Sequence, residues 1–305
     1  MQTHWSAHLT LSLVHFMAFP ETIRGEGPIV ETVTQVAKDD FFSGIEVAWI
    51  KEPEKRKQVK AILASAHLAG TFGAQPALIS QKLDLNSTDA TMRARAVAQM
   101  KECIDMAVDL EFSRLSLLSG FDPGEHKRNE AFKLLADSMN QICAYGRQHG
   151  VGITLEIFDR DVDTKALLGP AQEAADFAKL IKQDYPNFGL MYDLSHQPLL
   201  KEETIPTLRT LQDHLAHVHV GNCVTVEGRP AFGDKHPRFG FPGSENDIDQ
   251  LAEFLCGLFA IGYLRKDRNG IKPWVGIEVK PQPGESSDLL LAGTRRAWAE
   301  AWARI

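Results

Sequence analysis

The sequence predicts a single (β/α)8 barrel spanning residues 1–305, on three observations. Apolar runs of strand length alternate with segments of helix length eight times in succession, mostly through short connections. A chain of 305 residues with 44% hydrophobic content can bury one such core, and no second composition zone divides it. No strand is followed by the GxGxxG pattern of a dinucleotide-binding turn, which weighs against the open doubly wound sheet.

The first apolar stretch covers residues 9–19, with His15 near its end, and a helix is expected over about 28–38. A second strand over 44–49 precedes an amphipathic helix over 53–68 that closes on Gly70. The third strand, 71–74, is weak, and the cluster Asn86-Ser87-Thr88-Asp89 supplies an N-cap for a long helix over 92–110. The fourth strand is placed at 112–119 and its helix at 129–149, with Gly150 just past the helix end. The fifth strand covers 151–158, and a helix over 170–184 begins with Pro170 in its first turn. The sixth strand is Phe188–Asp193, the seventh Leu215–Val220, and a shorter helix over 205–214 joins them. Residues 222–243 are rich in Gly and Pro and lack periodicity, so they are expected to form a functional loop over one barrel mouth. A helix over 244–264 capped by Ser244, a strand over 274–279 and a helix over 289–303 complete the alternation.

Four strands end in polar residues. Ile153-Thr154-Leu155-Glu156, Phe188 to Asp193, Ala216-His217-Val218-His219 and Val275-Gly276-Ile277-Glu278 each run apolar until a carboxylate or imidazole appears at the tip. In a barrel the C-terminal ends of all strands open onto one face, so Glu156, Asp193, His219 and Glu278 converge. Three packed carboxylates repel unless a cation sits among them. Oxygen donors with one imidazole suit one divalent ion, Mn²⁺, Mg²⁺, Co²⁺ or Zn²⁺; ligand chemistry alone does not choose among them, and Mn²⁺ is the ion expected.

These residues, with Asp193-Leu194-Ser195-His196, Arg238 and the run from Pro242 to Asp249, resemble the xylose-isomerase-like TIM-barrel superfamily of sugar isomerases and epimerases. The resemblance covers nearly the whole chain. It implies that Glu156, Asp193, His219 and Glu278 hold one divalent metal and that the two glutamates act as an acid/base pair. It also implies that His196 and Arg238 hold substrate oxygens. The superfamily includes ketose 3-epimerases, hydroxypyruvate-type isomerases, dehydratases, decarboxylases and a DNA-repair endonuclease branch, so the resemblance leaves the reaction open.

The chemistry can also be argued directly. A proton α to a ketone is too weakly acidic for an unaided carboxylate, whereas a metal bridging carbonyl and hydroxyl stabilises the developing enediolate. With Glu156 and Glu278 on opposite sides of a keto-sugar or sugar-derived acid, proton removal and return give epimerisation or isomerisation. The same intermediate makes a carbon-oxygen or carbon-carbon lyase the alternative. In the loop, Asp234-Lys235-His236-Pro237-Arg238 offers cationic donors, and Lys280 shares the strand parity of Glu278, so His236 and Lys280 join the expected substrate contacts. His15 is a further candidate at the end of the first strand.

Lys and Arg total 33 against 40 Asp and Glu, a formal charge of -7, which argues for a small-molecule substrate and against nucleic acid. The endonuclease reading is further weakened by a third strand ending in Gly73-Ala74-Gln75, without histidine. A non-catalytic sugar-binding module is disfavoured by the complete ligand set. Cys103, Cys143, Cys223 and Cys256 show no disulfide or metal spacing, no signal peptide is evident and no run reaches membrane-span length. A cytoplasmic enzyme without membrane partners is expected, and a homo-oligomer is compatible with the sequence.

Overall fold

In the computed structural model, which describes residues 3–265 and 270–305, parallel strands close into a barrel in sequence order. They are β1 (Thr10–Val14), β2 (Gly44–Val47), β3 (Ala69–Gly73), β4 (Arg114–Leu118), β5 (Gly152–Ile157), β6 (Phe188–Asp193), β7 (Leu215–Val220) and β8 (Trp274–Ile277). Each pairs with its successor, and β8 pairs with β1 through Leu11↔Val275 and Leu13↔Ile277. The expected (β/α)8 barrel is therefore the observed fold.

The connecting helices are α1 (His15–Ala18), α2 (Ile29–Ala37), α3 (Pro53–Ala66), α4 (Gln75–Ser80), α5 (Ala90–Asp109), α6 (Arg128–Gln148), α7 (Ala171–Lys182), α8 (His196–Leu200), α9 (Thr204–Leu211), α10 (Ile248–Ala260) and α11 (Ser287–Ala303). Asp89 caps α5, its Oδ1 accepting the Thr91 N–H at 2.8 Å. Gly150 follows α6 at φ 72°, the left-handed conformation that suits glycine past a helix end.

Some boundaries differ from expectation. The first apolar run divides at His15, whose carbonyl accepts the Phe19 N–H at 2.8 Å and starts α1. Gly70 does not end α3; His67, at φ 50°, takes the left-handed position. Gly70 lies inside β3, where an added Cβ would sit 1.9 Å from the Phe112 ring. Pro170 precedes α7, and α10 starts at Ile248, four residues after Ser244. Ser244 instead donates to the Phe241 carbonyl at 2.7 Å and accepts from Asn222. The short helices α1, α4 and α8 were not anticipated, because four to six residues carry too little periodicity to read.

Strand parity determines what faces the barrel axis. Leu11, Leu13, Ile45, Leu115, Leu117, Leu155, Leu190, Val218 and Ile277 alternate with Ser12, Glu46, Ser116, Glu156, Met191, His217, His219 and Gly276. Tyr192, in the first register, stacks on Phe254 of α10, which places that register against the helices. Glu46 reaches His217 across the barrel from β2 to β7, which places the second register inside. Burying a large aliphatic side chain is worth about 1.5–3 kcal/mol, so a one-residue slip, which would exchange the two sets, is strongly disfavoured.

Between β7 and α10, Asn222 organises the loop. Its Nδ2 donates to the Arg238 carbonyl and Ser244 Oγ, both at 2.8 Å, and its Oδ1 accepts from the N–H groups of Cys223 and Asn246. The chain so folded carries Asp234, Lys235 and His236 to the barrel mouth.

Candidate functional site

Glu156, Asp193, His219 and Glu278 come together at the C-terminal ends of β5, β6, β7 and β8. One potential ligand atom from each lies within 4.8 Å of the others. All four side chains are buried.

Three of the four are held so that one atom remains available. Asp193 Oδ1 accepts the Ser195 N–H at 2.7 Å, leaving Oδ2 without a hydrogen bond. Glu156 Oε2 accepts from Gln75 Nε2 at 2.7 Å, leaving Oε1 likewise. His219 Nε2 donates to Glu46 Oε2 at 2.9 Å, so Nδ1 faces the carboxylates, 2.6 Å from Glu278 Oε2 but without hydrogen-bond alignment. Buried polar atoms are ordinarily paired, and three orphaned ones aimed at one place make a cradle that fits a divalent cation.

The electrostatics agree. Burial, then the charge of Glu278, pushes Glu156 up to about 8. Burial also raises Asp193 above the ordinary carboxylate range, with the charge of Glu278 adding to it. Burial opposes ionisation of Glu278, but His236 and His219 outweigh it and hold its pKa low. Burial disfavours a charged His219, yet Glu46 and Glu278 raise its pKa well above normal. Protons thus stabilise a cluster whose carboxylates a cation would stabilise in their place.

Beside this set lies another. His196 donates Nδ1–H to the Ile157 carbonyl at 2.7 Å and packs on the Phe158 ring, which turns Nε2 toward Asp234 Oδ1 at 3.2 Å. His236 Nε2 lies 2.8 Å from the same oxygen, and a ligand atom of Asp193 falls within 4.8 Å of one from each histidine. Burial works against a charged His236, but Glu278 and then Asp234 lift its pKa to about 9. His236 sits at φ 49°, a left-handed backbone that costs a non-glycine residue about 1–2 kcal/mol and is sustained here by the folded loop.

Glu156, His219, Glu278, Asp234, His236, Gln75 and Lys280 line a cavity of about 520 Å³, opposite an apolar wall that includes Phe16, Met17, Ile79, Phe121 and Phe158. Lys280 forms no ion pair with an acid among the described residues.

Of the expected substrate contacts, His236 and Lys280 line this cavity, whereas His196, Arg238 and His15 do not. Arg238 does not line the cavity; its Nε pairs with Glu285 Oε1 at 3.2 Å and its guanidinium lies over the Phe241 ring. The ordered loop directs the arginine toward the stretch after β8. His15 starts α1 in the core, with Nε2 2.8 Å from Thr32 Oγ1, and burial lowers its pKa to about 3. It is a packed, neutral imidazole.

Gln75, Asp234 and Glu46 were not selected from sequence as site residues. Gln75 opens α4, Asp234 lies in an aperiodic loop, and Glu46 lies within the short strand β2. The signal that could have found Glu46 is its strand parity, which puts it inside the barrel on the same side as His217 and His219 of β7.

A family description, xylose isomerase-like TIM barrel, matches residues 35–286. D-psicose 3-epimerase of Ruminiclostridium cellulolyticum is 25% identical over 174 residues, 54% of this chain and 57% of that enzyme. The match thus spans little more than half of the relative. Among solved structures, D-psicose 3-epimerase with D-tagatose from Clostridium cellulolyticum H10 superposes with a TM-score of 0.71 at 18% identity, covering 97% of this chain and 99% of the other. A 3-keto-D-glucoside 4-epimerase from E. coli gives 0.68 at 14% identity, covering 97% and 99%. At these identities the structural likeness establishes the fold.

Proposed function

Since the chain belongs to the xylose isomerase-like TIM-barrel family, we propose that it is a divalent-metal-dependent epimerase or isomerase of a keto-sugar. The observation that carries this reading is the convergence of Glu156 and Glu278, from strands on different sides of β6 and β7, with Asp193 and His219 in one buried cluster, of which Glu156, His219 and Glu278 line the cleft. The ketose and keto-glucoside epimerases similar to this chain support the substrate class.

Glu156, Asp193, His219 and Glu278 would hold the ion, with Mn²⁺ the one expected among those that suit oxygen donors joined by one imidazole. A bound divalent cation would withdraw electrons from the substrate carbonyl and so acidify the neighbouring C–H. Glu156 and Glu278 then serve as the proton-transfer pair, one removing the proton and the other returning it. Gln75 orients Glu156 through the 2.7 Å hydrogen bond to Oε2, which directs Oε1 into the cleft. Asp234, His236 and Lys280, which line the cleft, hold substrate hydroxyls, and the buried His196, fixed by the Ile157 carbonyl, supports Asp234 at 3.2 Å. The apolar wall limits water at the reacting carbons.

Incubation of the Mn²⁺-loaded protein with ketoses and keto-glycosides in deuterated water tests the reading. Deuterium uptake at the carbon next to the carbonyl, with an epimer or isomer as product, is expected. Release of water or carbon dioxide from an oxidised sugar acid would assign lyase chemistry instead, and no turnover across the panel would contradict both.

A further inference from the structure

We propose that Glu46 is a positioning residue that selects Nδ1 as the nitrogen His219 presents to the carboxylate cluster. The inference rests on the metal-site reading above and adds the device that makes His219 a ligand.

Glu46 enters the barrel from β2 and is 2% exposed. Its Oε1 accepts from Ser12 Oγ at 2.6 Å and from His217 Nε2 at 2.9 Å, while its Oε2 accepts from His219 Nε2 at 2.9 Å. An ionised carboxylate only accepts hydrogen bonds, so both imidazoles must carry their protons on Nε2. For a singly protonated His219 this leaves the lone pair on Nδ1, which faces Glu278 Oε2 at 2.6 Å and Glu156 Oε1 at 3.9 Å.

An independent feature guards the arrangement. Gly276 of β8 stands against it, and an added Cβ would lie 2.3 Å from Glu46 Oε1 and 2.7 Å from His219 Cδ2. The backbone there is not left-handed, so glycine is required by space alone.

Glu46, His217 and His219 could themselves be read as a cation site, since their ligand atoms also lie within 4.8 Å. The geometry separates the two cases. Glu46 makes three aligned hydrogen bonds and has no orphaned oxygen, unlike the misaligned atoms at the mouth.

Replacing Glu46 by Gln exposes the logic. The amide offers one acceptor and one donor where two acceptors stood, so it cannot receive Nε2–H from both histidines. One imidazole must shift its proton to Nδ1, and in the fraction where this is His219 the ligand atom is blocked.

The test measures binding of Mn²⁺ alone by the full chain and its Glu46→Gln and Gly276→Ala variants. Separately, ¹⁵N spectra of histidine-labelled, Zn²⁺-loaded wild type are recorded. Both variants are expected to remain folded by circular dichroism and to bind Mn²⁺ about ten- to hundredfold more weakly. The wild-type spectrum should show His219 coordinated through Nδ1 with Nε2 protonated. Coordination through Nε2, or unchanged affinity in a folded Glu46→Gln protein, overturns the role of Glu46 while leaving the metal site intact. Wild type binding neither ion overturns both. The wild-type spectrum decides the question even if the variants fail to fold.

Discussion

Gln75 Nε2 donates to Glu156 Oε2 over 2.7 Å, joining the first residue of α4 to the end of β5. This contact divides the two oxygens of Glu156 between anchoring and chemistry. Removing the donor leaves a buried acceptor unsatisfied, at about 1–3 kcal/mol. Gln75→Leu is therefore expected to lower kcat/KM by about ten- to hundredfold at saturating Mn²⁺. A value within twofold of wild type would show that Glu156 needs no such anchor.

Metal affinity should rise with pH. Burial and the Glu278 charge push Glu156 up to about 8 from its ordinary 4.5, so a cation entering at neutral pH must displace its proton. Each unit below 8 should weaken binding by up to about tenfold for that proton. The same shift implies that Glu156 keeps its proton in the metal-free folded protein between 4.5 and about 8, where the unfolded chain has lost it. This group's contribution to stability therefore declines as pH rises through that window, and saturating metal should suppress the decline. Mn²⁺ titrations at pH 6, 7 and 8 check the direction, which a flat or falling affinity would reverse.

The two glutamates should not be interchangeable. Glu156→Gln and Glu278→Gln each remove a base while keeping the shape of the side chain. With metal content matched, one variant should lose solvent deuterium exchange next to the carbonyl, and the other should retain exchange while failing to release product. Full activity in both would redirect the proton-transfer role to His236 or Lys280.

Much of this centre was legible because a buried strand that ends in a charged tip is a costly pattern, and β5 to β8 repeat it at Glu156, Asp193, His219 and near Glu278. The bounds of β6 and β7 were read correctly, since their apolar runs stop abruptly at turns. What escaped depends on geometry that periodicity does not encode. Gln75 and His196 are aimed by helices of six and five residues, and only His196 carried a recognisable motif. Asp234 and Arg238 occupy one aperiodic loop, whose fold around Asn222 sends the acid inward and the arginine out to Glu285. His15 misled because an imidazole near a strand end looks the same in sequence whether it meets substrate or Thr32.

The fold itself can be tested away from the site. A Cβ at Gly70 would overlap the Phe112 ring at 1.9 Å, on the outer face of β3. Gly70→Ala is expected to cost about 1–3 kcal/mol through overpacking, lowering Tm by several degrees while Mn²⁺ affinity stays unchanged. Calorimetry with a parallel metal titration measures both, and an unchanged Tm would contradict the packing described for this face.

The most direct measurement is anomalous scattering from crystals of the Mn²⁺-loaded protein, with elemental analysis of the same preparation. One ion per chain is expected, coordinated by Glu156, Asp193, His219 and Glu278. A second ion between His196 and His236 would mean that those histidines bind metal rather than support substrate binding. No ion at the four-residue cluster after reconstitution, or an ion bound only elsewhere, would contradict the account.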